Sequence, residues 1–140
     1  MKIVRSLFFF ILLSSLTATA QQPGLKYGKY TWYEGLDKAK AEGKCFFLYI
    51  SQKGCQYCKE LDKSLAANPG VIAFLTQKFV LARHQVSTPY GRAVVMDMRL
   101  QTTPALVVQN PLSDKEPLVL YGITNAEALR KELETYLGKQ

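Results

Sequence analysis

The chain has 140 residues, 48% of them hydrophobic and 21% charged, with a net charge of +7. That length admits one domain of ordinary size rather than two, and that composition excludes a disordered chain. A core of this size needs no disulfide staples, so the three cysteines are free for other work.

In chain order, residues 1–20 read as a cleaved secretory signal peptide. Lys2 and Arg5 make a short basic start, and Leu7 to Leu16 is apolar apart from Ser14 and Ser15. Thr17-Ala18-Thr19-Ala20 then puts small residues where a signal peptidase cuts, so cleavage is expected after Ala20. The alternative is a retained membrane anchor, but the apolar run is shorter than the ~20 residues of a comfortable span. No cysteine follows Ala20 to accept a lipid. The short signal points to the periplasm of a Gram-negative bacterium. Removing Lys2 and Arg5 from 18 basic residues leaves 16 against 11 acidic, or +5. Lys26, Lys29, Lys38, Lys40 and Lys44 are scattered and interleaved with Asp37 and Glu42, as on a solvated surface. With export, that spacing argues against nucleic acid as a partner.

Residues 21–30, with Pro23 and Gly24, read as a flexible lead-in, and residues 31–140 as the domain. Trp32, Leu36 and Ala39 give a helix over Thr31 to Gly43, stopped by Gly43. Cys45 to Ile50 is a continuous apolar run, the mark of a strand buried on both faces. After the loop Ser51 to Gly54, a second helix is expected from Cys55 to Ala67. Asn68-Pro69-Gly70 breaks it, and Val71 to Gln77 makes a short third helix. Lys78 to Val86 reads as a strand, Pro89 to Arg99 as a helix, and Pro104 to Gln109 and Leu118 to Tyr121 as two more strands. Thr124 is expected to cap a last helix, with Glu127 completing a capping box. Strands alternating with helices, ending in a two-strand unit and a helix, predict the α/β class with a mixed central β-sheet flanked by helices.

The chemistry concentrates in Gly54-Cys55-Gln56-Tyr57-Cys58-Lys59, where a buried strand turns into a helix. Cysteines three apart on a helix share a face, so their sulfurs can meet. A helix N-terminus offers unpaired amides and a positive dipole end, which favour a thiolate at Cys55. Lys53 and Lys59 add positive charge. A thiolate there attacks a disulfide, and a second thiol one turn away resolves the product.

Other readings are weaker. Structural zinc wants four ligands, and the remaining candidates are Cys45 and His84. Cys45 stands at the far end of the strand, on the order of 20 Å away at the usual rise per residue. Haem attachment wants a histidine where Lys59 stands. A purely structural disulfide would close a loop too small to stabilise much. No metal or organic cofactor is expected. Cys45 reads as a buried free thiol, or else a link between two copies; His84, Trp32 and Tyr33 read as packing residues.

Thr102-Thr103-Pro104 leads directly into Ala105-Leu106-Val107-Val108. With the cysteine pair upstream, the chain from about Thr31 onward resembles the thioredoxin superfamily. The segments Lys44 to Ser51, Asn68 to Val71 and Phe79-Val80 are most similar to periplasmic members. Those members include the C-terminal domain of the DsbD-type interchange protein and the thioredoxins of sulfur oxidation. The resemblance implies the thioredoxin fold, with Cys55 as exposed nucleophile and Cys58 as shielded resolving thiol. It implies a cis Pro104 beside the pair and a Thr103 backbone offered to an extended client. Gln56 and Tyr57 complete the expected client-binding residues.

Four positions depart from thioredoxin itself: Gly54 replaces its Trp, Tyr49 its buried acid, and Gln56-Tyr57 its Gly-Pro. The activity implied is thiol–disulfide exchange on protein clients, as reductase or isomerase, coupled to a membrane redox partner of the DsbD type. The alternative is a client-binding assembly module in which redox cycling is incidental.

Overall fold

The computed structural model describes residues 24–140, so the expected signal and its cleavage point lie outside the described residues. Among the described residues five helices and four strands follow in the order α1 (Trp32–Glu42), β1 (Cys45–Ser51), α2 (Gln56–Ala66), α3 (Pro69–Lys78), β2 (Phe79–Gln85), α4 (Pro89–Asp97), β3 (Ala105–Gln109), β4 (Leu118–Tyr121) and α5 (Ala126–Leu137). The sheet order is β2-β1-β3-β4. β1 runs parallel to β2 and antiparallel to β3, which pairs antiparallel with β4. This is the mixed sheet that the alternation of elements predicts.

β1 occupies the centre, and all seven of its residues are buried. Its alternate side chains enter two separate cores. Phe46, Leu48 and Ile50 pack with α1 and α4, while Cys45, Phe47 and Tyr49 pack with α2, α3 and α5. A strand covered on both faces has no polar side to show, which is why its sequence is a continuous apolar run.

Helix ends follow local chemistry. The Thr31 side chain and Glu34 form a capping box at α1, and Gly43 closes the helix in the left-handed region at φ 64°. α3 begins at Pro69, not Val71, because proline needs no amide partner in a first turn. The expected Thr124 cap is corrected to Asn125. Its side-chain oxygen accepts from the amides of Glu127 and Ala128 at 2.9 and 3.1 Å, and the Ser64 hydroxyl accepts from the Ala126 amide at 2.9 Å.

The lead-in differs from its flexible expectation over its described part. Gly28 bridges Ala82 in parallel register, and its amide donates to the Leu81 carbonyl at 2.8 Å. Leu25 and Tyr27 pack on the core beside α2. The segment thus covers the edge of β2, whose backbone groups would otherwise lack partners.

Candidate functional site

Where β1 ends, the chain crosses a short loop into α2, and the last loop residue, Cys55, is the helix N-cap. Gly54 makes the turn possible with φ 80°, a backbone conformation that side chains with a Cβ rarely adopt. This is the physical reason that a Trp is out of place here. The Cys55 sulfur accepts the amide N–H of Cys58 at 3.1 Å, so it takes the capping role of an Asp or Ser oxygen. A negative sulfur at this spot gains from the same amide and from the helix dipole.

Cys55 and Cys58 are joined as a disulfide, with Cα atoms 5.3 Å apart. Their environments differ. Cys55 is half-buried, whereas Cys58 is only 3% exposed and packs with Leu61 and Leu65 under the helix. An open groove of about 470 Å³ lies over Cys55, lined by residues 52–57 and by Thr103. Gln56 and Tyr57 stand on its rim, Tyr57 with 58% of its surface exposed. Lys53 is the lining residue that carries charge. The Thr103–Pro104 bond is cis. Pro104 itself is buried behind Thr103 and does not line the groove.

The structure therefore brings together Cys55, Gln56, Tyr57 and Thr103 at one surface, with Cys58 beneath. It does not bring Cys45 there. That thiol is free and buried at the opposite end of β1, and burial pushes its pKa up. His84 is also elsewhere. Its Nε2 lies 2.9 Å from the Tyr30 carbonyl oxygen, so that nitrogen donates, and its ring meets Tyr90 edge-on at 4.5 Å. Among the described residues no group of three or more His, Cys, Asp or Glu is placed to hold a metal ion. None of their helices is long and apolar enough to cross a membrane.

One part of the site is not apparent from the sequence. Tyr49, where thioredoxin carries an acid, donates its hydroxyl to the Cys58 carbonyl at 3.3 Å. Arg83 and Asp62 form a bidentate ion pair beside it. The available signal was the position of Asp62, four residues after Cys58 and thus on the same helix face.

A family model for the thioredoxin-like domain matches residues 32–137. Among solved structures the chain is similar to a thioredoxin from Thermus thermophilus, at 27% identity and a TM-score of 0.66, covering 79% of this chain and 87% of that one. It is also similar to a candidate disulphide-isomerase from Bacteroides thetaiotaomicron, at 22% identity and a TM-score of 0.72, covering 86% and 99%. A third likeness is to Trxlp from Edwardsiella tarda, at 17% identity and a TM-score of 0.58, covering 77% and 98%. No curated protein matches. A fold of this kind carrying a Cys-x-x-Cys pair suggests thiol–disulfide oxidoreductase chemistry.

Proposed function

The chain belongs to the family of thioredoxin-like domains, and from that premise we propose that it is an exported oxidoreductase that reduces or isomerises the disulfides of other proteins. The observation that carries the reading is the unequal placement of the two sulfurs. Cys55 caps a helix at the floor of an open groove, and Cys58 is shielded one turn inside.

The reduced pair works in two steps. The Cys55 thiolate attacks one sulfur of a client disulfide. A Cys55–client bond forms, and the client's other sulfur leaves as a thiolate that takes a proton from water. Cys58, deprotonated, then attacks the Cys55 sulfur. The Cys55–Cys58 disulfide forms, the client's second sulfur leaves as thiolate, and two electrons have passed to the client. If a client thiol resolves the mixed disulfide first, the outcome is isomerisation with no net electron transfer. Thr103 and the rim residues Gln56 and Tyr57 hold the client segment against Cys55. Restoring the dithiol requires a dithiol donor, for which a DsbD-type membrane protein is the proposed partner.

Support for reductase or isomerase over general oxidase comes from the inner dipeptide Gln56-Tyr57, which is not the Pro-His of the strong oxidant. Export rests on the reading of residues 1–20, and a mature chain beginning at Gln21 in periplasmic extracts tests it by intact mass. The activity test is insulin reduction with dithiothreitol as electron source. Acceleration over dithiothreitol alone is expected; a rate equal to it would leave the fold as a client-binding module. Equilibration against glutathione then gives the direction of electron flow. A couple near about −270 mV is a reductant, and one near about −120 mV an oxidant.

A further inference from the structure

Behind Cys58, side chains from four segments converge. Tyr49 and Arg83 are register partners on β1 and β2. The Arg83 guanidinium lies over the Tyr49 ring, 4.2 Å from its centroid, and 5.7 Å from that of Tyr27 in the lead-in. Its Nε donates to the Ser51 hydroxyl at 3.1 Å. Its two terminal nitrogens donate to the two carboxylate oxygens of Asp62 at 2.9 and 2.8 Å. Asp62 follows Cys58 by one helical turn, and the Tyr49 hydroxyl donates to the Cys58 carbonyl. The ionisable groups facing this spot are thus Tyr27 from the lead-in, Tyr49 from β1, Asp62 from α2 and Arg83 from β2. Burial pushes both tyrosines well above their ordinary range, so they stay neutral.

A carboxylate one turn from a resolving thiol has two possible effects. Left free, it opposes the thiolate by like charge and can accept its proton. Engaged at both oxygens by a guanidinium fork, it is balanced in charge. We propose that Arg83 is a positioning residue for thiol–disulfide exchange, holding Asp62 in a neutral pair so that the Cys58 thiol ionises against a background without net charge. The inference rests on the proposed exchange at Cys55 and Cys58. It assigns to a clamped pair on α2 and β2 a place that thioredoxin gives to an acid on the strand.

The pair makes a prediction that packing alone does not: its two halves act with opposite sign. In Arg83→Gln an unbalanced carboxylate remains, and the apparent pKa of Cys58 rises. In Asp62→Asn an unbalanced guanidinium remains, and it falls. The thiolate fraction at fixed pH should change by about threefold or more in each direction, as for a partly solvated charge one turn away. The double variant should return to the parent value, and Arg83→Lys, which keeps the charge, should stay close to it.

The experiment is a ¹³C NMR titration of the Cys58 Cβ in the reduced protein, with glutathione disulfide as probe of exchange in the same samples. Opposite shifts that cancel in the double variant are expected. Shifts of the same sign, or none, overturn the proposal. If Arg83→Gln does not fold, Arg83→Lys set against Asp62→Asn decides the matter: a Cys58 titration kept at the parent position in Arg83→Lys and lowered in Asp62→Asn is expected, and no difference between the two overturns the proposal. If the parent pair does not exchange with glutathione at all, it is the underlying reading of the site that fails.

Discussion

On one face of β1, Phe46, Leu48 and Ile50 meet apolar partners from α1 and α4. On the other face, the same strand runs from Cys45 through Phe47 and Tyr49 to Ser51, and polarity rises toward the end where α2 begins. The first face holds the sheet together. The second does that too, but its last turn carries a hydroxyl on the Cys58 backbone, an ion pair and the disulfide. The difference lies in what each face abuts. A strand passing through a tight loop into a helix N-terminus delivers unpaired amides on one side only, and chemistry gathers there.

This contrast can be broken from either side, and the largest effect belongs to the redox face. Cys55→Ser should abolish insulin reduction, whereas Cys45→Ser, on the same face but at the buried end, should leave it nearly unchanged. Loss of activity in Cys45→Ser would mean that the two ends of the face are not separate.

On the packing face, Gly35 is buried against the ring of Phe46, and an added methyl would overlap that ring. Phe46 is fully buried and also wedged edge-on against Trp32 at 5.5 Å, so it cannot swing clear. Gly35→Ala should cost about 1–3 kcal/mol of stability by overpacking, measured by urea unfolding. The folded variant should still reduce insulin at the parent rate.

A smaller loss is expected at α5, which packs on the redox face. Asn125→Ala removes the cap of two amides and should cost roughly 1 kcal/mol, again without changing exchange per folded molecule.

The smallest effect concerns α1. The Thr31 backbone N–H, and then its hydroxyl, hold the Glu34 carboxyl below the usual carboxylate range. A lowered folded pKa gives stability that is present above the unfolded value of ~4.3 and is lost as pH falls through the folded one. The melting-temperature gap between the parent and Glu34→Gln should therefore narrow as pH drops below about 4. A gap that stays constant would show that Glu34 does not act through its charge.

The order and type of the elements were legible because their signals are local. A doubly buried strand reads as an apolar run at Cys45 to Ile50, and Gly43 stops α1 where a left-handed residue is needed. What was not legible depends on pairing between distant segments. The Tyr49–Arg83 register and the docking of Tyr27 on the sheet have no signature in either segment alone. The shift of the α5 cap from Thr124 to Asn125 is a one-residue matter of which side chain reaches the free amides. The cysteine spacing identified the pair, but the approach of Thr103 to Cys55 came from the family resemblance and not from periodicity.

The central claim is that Cys55 attacks and Cys58 resolves, and the most direct measurement is a trapping experiment. In Cys58→Ser the attacking thiol remains while release by its neighbour is lost. Incubated with a protein disulfide and analysed by non-reducing gel and peptide mass mapping, this variant should accumulate a mixed disulfide on Cys55. Cys55→Ser should form none through this site. Adducts that map to Cys58 in Cys55→Ser, with none on Cys55 in Cys58→Ser, would contradict the account.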